Sequence, residues 1–426
     1  MTAPSINRPY RPAIPRPEAD APLPTWPVTA MITLMPVWFL LGLAGFTWVL
    51  FALPMAASLV RRRELVLPKS FGLWILFLVA VVGSSMSIDA ADRMAGWVLR
   101  FGYYVGATVF LLYVLNGGES VSVWSTVRAF VWLWMATVVG GYLAFFLGET
   151  SFASPMAYLM PAGLRANELI GTLVTPSFAE VQDIIGFPIP RPKAPFPYTN
   201  SWGSMLALLT PFALIAQREA RVGFSNRLIR IFLIAAVIPA VVSLNRGLWI
   251  SLGLGMGYVA LRLGAAGQSK ALRNTLIALM GLALVLVLTP LGDLIVTRFA
   301  TGHSNSDRLE LVTDAIAGTV ERPVFGWGAP RPNDRNLPSV GTHGQMWFVM
   351  FSYGFAGALG YFSAFTAWAW RTRRQVSVAG LWCHAIILIG LIQAFFYLHV
   401  PHQMFTMLAA TALAIRIQSE DAEQYS

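Results

Sequence analysis

Long apolar runs with little charge to relieve them recur between residues 28 and 418. A helix rises about 1.5 Å per residue, so roughly 20 apolar residues cross about 30 Å of hydrocarbon. The runs predict twelve membrane-spanning helices, over 28–43, 44–60, 70–86, 97–115, 124–146, 201–217, 227–243, 247–264, 273–292, 344–370, 376–396 and 403–418. Backbone polar groups in lipid have no water to bond, which makes helices the expected elements and an all-α bundle the expected fold class. In the first pair, Gly42, Gly45 and Pro54 favour two short spans over one long tilted helix. The expected organisation is a disordered cytoplasmic tail (1–27), amino-terminal spans (28–146), a long loop (147–200), central spans (201–292), a second long loop (293–343), carboxy-terminal spans (344–418) and a short tail (419–426).

Composition agrees with this pattern: 56% of the 426 residues are hydrophobic and 12% are charged, whereas a soluble domain carries about a quarter charged residues. The net charge of +10 does not mark a nucleic-acid binder, because arginines sit in short runs between apolar stretches rather than in an aromatic-interleaved basic domain. Clusters at 61–69, 218–230, 262–273 and 371–374 each sum to +3 and fall on one side if the spans alternate. Positive loops are retained on the cytoplasmic side. The two long loops, each summing to −1, then face outward, both termini lie inside, and the chemistry is expected outside. The proline-rich opening shows no cleavable signal segment. Cys383, the single cysteine, excludes an intramolecular disulfide and a cysteine-cluster metal site.

Eight prolines in loop 147–200 disfavour a long helix and predict extended segments with short turns, with Phe178 and Ile184-Ile185 as anchors at headgroup level. In loop 293–343, Ser304-Asn305-Ser306 reads as a helix cap with Asp307 in the first turn. Leu309, Val312, Ile316 and Val320 recur at helical spacing and predict an amphipathic helix of about four turns lying against the bundle or the bilayer interface. Pro323 ends it, and Val324-Phe325-Gly326-Trp327-Gly328 follows as a tight turn without the spacing of a nucleotide-binding loop.

Several polar groups share the expected outer face. Arg100 lies one turn inside its span, Arg246 sits in a short outer link, Arg308 falls in the first turn of the loop helix, and His343 stands at the mouth of the next span. Guanidinium forks suit phosphate oxygens, and a histidine of ordinary pKa, about 6.5, is partly neutral near physiological pH and can accept a proton. Such a group could hold a diphosphate and stabilise the charge that grows as a sugar bond breaks. His384, His399 and His402 form the other histidine cluster, without a zinc-site spacing, and are expected in turn or interface roles.

Asn245-Arg246-Gly247, Asp307-Arg308-Leu309, Pro323 to Gly328, His343 and Pro197-Tyr198-Thr199-Asn200, taken in order over residues 30–418, resemble the O-antigen ligase and polysaccharide polymerase superfamily of bacterial membrane proteins. That resemblance implies a GT-C-type glycosyltransferase of the bacterial cytoplasmic membrane, acting at its outer face without nucleotide sugars, cofactor or obligatory metal. The implied donor is an undecaprenyl-diphosphate-linked glycan, and the acceptor is a hydroxyl on a lipid, glycan or protein. His343, Arg246 and Arg308 match the catalytic positions, while Arg100, Asn200 and Trp327 fall at implied substrate-binding positions. Gly344 stands where an asparagine more commonly follows the histidine. Ligase-type transfer and repeat-unit polymerisation both remain open, with a lipid-linked glycan transporter as the alternative of another class.

Overall fold

The computed structural model describes residues 21–183, 188–268, 273, 303–333, 338–399 and 401–424, with the side chains of 303–308 and 423–424 outside that description. The chain is mostly helical. Among the described residues, four helices are long and apolar enough to cross a membrane by length and composition: Ala91–Leu115 (α6), Val123–Leu147 (α7), Arg246–Ala265 (α14) and Gln345–Thr372 (α16). The first predicted pair is a set of short helices, Trp26–Thr33 (α1), Met35–Leu40 (α2), Thr47–Leu50 (α3) and Ala52–Leu59 (α4), with a turn at 41–46 where Gly42 takes a φ of +73°. Phe71–Ser84 (α5) follows. The predicted span 227–243 is divided into Asn226–Ala235 (α12) and Val237–Val242 (α13). Span 273–292, apart from Arg273, lies outside the described residues.

Thr199–Arg218 (α11), Val378–Gln393 (α17) and His402–Gln424 (α18) complete the bundle. Residues 419–424, expected as a tail, continue α18. One set of buried polar side chains pairs across three helices, which spares each the several kcal/mol that an unpaired polar group costs in an apolar interior. Ser204 on α11 donates to Gln393 Oε1 on α17 at 2.7 Å, and Gln393 Nε2 donates to Ser251 of α14 at 3.0 Å.

The connections gather at two ends. At one, Arg62 bonds the carbonyl of Asn116, Arg128 that of Val222, Trp368 that of Lys69, and Arg416 those of Val114, Gly118 and Val121. At the other, Asn167 bonds the carbonyl of Asp92, Arg191 that of Ser243, and Trp347 that of Phe395. Both long loops belong to this second end.

Loop 147–200 departs from the all-α expectation. It holds Pro155–Leu159 (α8), Ala162–Arg165 (α9), Glu168–Val174 (α10) and an antiparallel pair, Ala179–Asp183 (β1) with Pro188–Pro192 (β2). Alternation explains a strand made of Pro-Ile-Pro-Arg-Pro: Ile189 and Arg191 keep the amides β1 needs, while prolines occupy the alternate positions that an edge strand leaves unpaired. Phe178 packs on Phe39 and Phe152. Ile184 and Ile185 lie outside the described residues.

The loop helix is His303–Glu321 (α15). Ser304 to Ser306 are therefore inside it rather than forming its cap. Its buried face is Leu311, Ala315, Gly318 and Thr319; the predicted stripe of Leu309, Val312, Ile316 and Val320 is not the contact face, and Leu309, Ile316 and Val320 are exposed. Small residues allow α15 to approach α16 closely, with Phe351 standing where a Cβ on Gly318 would point.

Helix α16 is broken at Gly354, with φ +66° and ψ −171°. The break releases carbonyls that the Pro323–Gly328 segment uses. Trp327 N donates to Phe351 O at 2.9 Å, Gly328 N to Ser352 O at 2.8 Å, and Phe355 N to Pro323 O at 2.7 Å. Gly326, at φ +63°, lies so close that a Cβ would strike the backbone of α16, and a Cβ on Gly354 would strike the Val324 carbonyl. Gly354→Ala combines a left-handed φ with this collision and should cost about 2–4 kcal/mol. Gly253→Ala, inside α14 with nothing near its Cβ, should be neutral or stabilising by roughly 0.5–1 kcal/mol. Thermal unfolding of the two purified variants checks both.

Candidate active site between the long loops

Arg93, Gly96 and Arg100 occupy positions i, i+3 and i+7 of α6 and so share one face. A Cβ on Gly96 would lie 2.9 Å from Nη1 of Arg100. The glycine thus makes room for the Arg100 side chain to lie back toward the amino-terminal end of the helix, the direction in which long helical side chains lean.

This face opens into a cavity of about 700 Å³. Asp92, Arg93 and Arg100 of α6 line it with Asn167, Glu168, Glu180 and Tyr198 of the first long loop. Asn200 and Ser201 at the start of α11, Thr342 and His343 before α16, and Tyr397 after α17 complete the polar wall. The site draws on six separated stretches of sequence, which the two-ended architecture brings together.

Arg93 holds one side of the cavity in place. Its side chain is buried, and it donates to the carbonyls of Trp327 at 2.7 Å, Ala329 at 2.8 Å and Pro330 at 3.2 Å. It also pairs with Asp89, which is shared with Arg331. The guanidiniums of Arg322 and Arg331 lie over the Trp327 ring at 4.1 and 3.9 Å from its centroid, and the indole N–H donates to Gly318 O at 2.9 Å. The hydrogen bond from Arg93 holds the Asp89 carboxyl below its ordinary range, and the charges of Arg93 and Arg331 act in the same direction.

His343 is oriented by its neighbour. Thr342 Oγ1 donates to Ser339 O at 2.7 Å and lies 3.1 Å from His343 Nδ1. A hydroxyl has one proton; with it directed to Ser339 O, Nδ1 is the donor in the second contact. In the neutral ring Nε2 is then the proton-accepting nitrogen. Across the cavity, burial raises the Tyr198 hydroxyl above its ordinary pKa against the opposing charge of Arg100, which keeps it a protonated donor. Glu180 accepts from Gln182 at 2.5 Å, Gln182 accepts from Arg191 at 2.5 Å, and Arg191 donates to Ser243 O at 3.0 Å. That chain ties the β hairpin to the link before α14.

Of the residues expected from sequence, Arg100, Asn200 and His343 meet in this cavity. Arg246 opens α14 one residue beyond Asn245, whose Oδ1 accepts from the cavity-lining Tyr397; Arg246 itself is not among the lining residues. Trp327 is also outside the lining, held between the two arginines. Arg308 lies on α15, and its side chain is outside the described residues. His384 bonds Thr372 at 3.0 Å and His399 bonds Tyr361 at 2.9 Å, while His402 packs between Trp48 and Phe196. Among the described residues no group of three or more His, Cys, Asp or Glu is placed to hold a metal ion.

Sequence reasoning missed Arg93, which fell four residues before its predicted span. The signal for it was the seven-residue interval to Arg100 across Gly96.

Hydrogen bonds to charged groups contribute roughly 1.5–3 kcal/mol each. Arg93→Gln should therefore ease local opening of 326–331 by about 2–4 kcal/mol, read as faster hydrogen exchange there with α11 and α18 unaffected. A depressed carboxylate pKa contributes stability above its unfolded value, near 3.9, that is lost as pH falls through the folded value. Protection of 326–331 should accordingly hold from pH 7 to pH 5 and fall selectively in more acidic solution, a fall that Asp89→Asn removes.

No protein-family model matches the chain, and no curated protein is significantly similar to it.

Proposed function

We propose that the protein is a membrane glycosyltransferase that moves a glycan from a lipid diphosphate donor to a hydroxyl acceptor on the extracytoplasmic face of a bacterial cytoplasmic membrane. The supporting observation is a cavity of about 700 Å³ in which guanidiniums, an oriented imidazole and hydroxyl-binding side chains converge at the end of an apolar helix bundle. Anion, base and sugar partners are what such a transfer requires together. In this reading the end carrying both long loops faces outward, the basic turns at the other end face the cytoplasm, and the chain crosses the membrane twelve times.

The donor would be an undecaprenyl-diphosphate-linked glycan whose lipid remains in the bilayer while the diphosphate and sugars enter the cavity. Arg100 meets the diphosphate. Arg246, beside the cavity wall at Asn245, and Arg308, on α15, are assigned to the same leaving group. Asn200, Glu168 and Glu180 offer partners to sugar hydroxyls. The acceptor oxygen attacks the anomeric carbon from the face opposite the diphosphate and gives its proton to Nε2 of His343. The bond between that carbon and the phosphate oxygen breaks, its electron pair leaves with the diphosphate, and the configuration inverts. Trp327 acts by holding the loop. Neither a metal nor a cofactor enters this scheme.

Ligase and repeat-unit polymerase share these steps and differ in acceptor; the ligase-type reaction is the preferred form. Purified protein in nanodiscs, given labelled lipid-linked glycan and analysed by product mass, tests the proposal. One transfer to a distinct acceptor marks a ligase, a ladder of longer lipid-linked chains marks a polymerase, and movement across a vesicle without a new glycosidic bond would contradict both. Arg100→Gln should lower turnover about 10²- to 10³-fold, the usual effect of removing a group that stabilises transition-state charge. His343→Ala should lower it about 10²- to 10⁴-fold. Arg246→Gln and Arg308→Gln, measured alongside, should each fall by at least tenfold; folded variants with unchanged turnover would remove their assigned roles.

A further inference from the structure

A second, much smaller cavity lies behind Arg100 and shares Arg100 and Leu398 with the large one. Tyr103 and Tyr104 of α6, Gln345 and Phe348 of α16, His399, and Met404 of α18 complete its lining, with the Tyr104 hydroxyl already accepting from Tyr353 at 3.3 Å. It measures about 10 Å³, close to the roughly 10–15 Å³ that one water sphere occupies by such a measure.

Its polar atoms are unusual for so apolar a setting. Tyr103, Gln345 and His399 are 2%, 1% and 4% exposed. Tyr103 Oη, Gln345 Nε2, His399 Nε2 and Arg100 Nε are all buried without a hydrogen-bond partner in the protein. The other ends of two of these side chains are engaged: His399 Nδ1 with Tyr361 at 2.9 Å, and Gln345 Oε1 with the His399 amide at 2.9 Å. One buried polar atom without a partner costs about 1–3 kcal/mol, and four around one void call for a common partner.

The chemistry of the four selects that partner. Arg100 Nε and Gln345 Nε2 can only donate. Tyr103 Oη can accept, and so can His399 Nε2 when Nδ1 carries the ring proton and donates to Tyr361. Two donors and two acceptors match the two lone pairs and two protons of one water molecule. An anion would leave the His399 Nε2 lone pair without a donor, and a metal cation would face two N–H groups. Burial pushes the His399 pKa down to about 3, which keeps the ring neutral.

We infer that this cavity is a built site for a single water molecule that joins Arg100 to Tyr103, Gln345 and His399. The water positions Arg100 from behind, linking the arginine of the large cavity to the α17–α18 connection, whatever the large cavity binds.

A cryo-electron microscopy map of the full chain in nanodiscs, at about 2 Å, tests this. The expected result is one peak within hydrogen-bonding distance of all four atoms, about 2.6–3.2 Å. A void without density, or a peak that contacts the donors but stays away from His399 Nε2 as an anion would, overturns the inference. Tyr103→Phe provides a thermodynamic reading of opposite sign for the two cases. With the water present, the variant loses a partner and should melt about 2 °C lower or more; with a dry void it sheds an unsatisfied hydroxyl and melts at the same temperature or higher. Should that variant fail to fold, the wild-type map alone decides.

Discussion

A guanidinium group inside an apolar bundle has five N–H donors and no way to lose its charge, so the surrounding chain must be arranged around it. Two such groups on one face of α6 organise the loop-bearing end of this protein. Arg93 is surrounded by three backbone carbonyls and a carboxylate, which fixes the 327–330 segment over the helix. Arg100, two turns deeper, borders the cavity that this segment helps to enclose. One arginine builds the wall; the other borders the space inside it.

The break in α16 serves the same end. A continuous helix there would spend the carbonyls of Phe351 and Ser352 internally, and the turn around Trp327 would have nowhere to bond. With Gly354 in the left-handed region, those carbonyls accept from Trp327 and Gly328, and the turn becomes part of the bundle. Arg93 then grips it from the opposite side. His343 follows the same segment in sequence and reaches the cavity with its ring already oriented by Thr342. Trp327 fastens this segment to the bundle.

The helical bundle and the gathering of Arg100, Asn200 and His343 were legible because long apolar runs are unambiguous and charges at their mouths are rare. The face of α15 was misread for a physical reason. The spacing of Leu309, Val312, Ile316 and Val320 was correct for a helix, but large apolar residues mark the buried face only when the alternative is water. Beside a bilayer, close helix packing favours small residues, and Ala315, Gly318 and Thr319 form the contact. The prolines of loop 147–200 announce extended chain, but not the pairing of 179–183 with 188–192, which depends on Ile189 and Arg191 alternating with prolines. Arg93 was hidden by its position, since nothing in its local sequence announces that three carbonyls from residues 327–330 will surround it.

The account rests on the cavity beside Arg100 receiving a lipid-linked diphosphate. The most direct measurement is a structure of the protein in nanodiscs with a lipid diphosphate glycan bound. Phosphate density within hydrogen-bonding reach of Arg100, with sugar extending toward His343 and Asn200, is the predicted result. Diphosphate density at the opposite, basic-turn end of the bundle, with the cavity between the long loops unchanged, would contradict it.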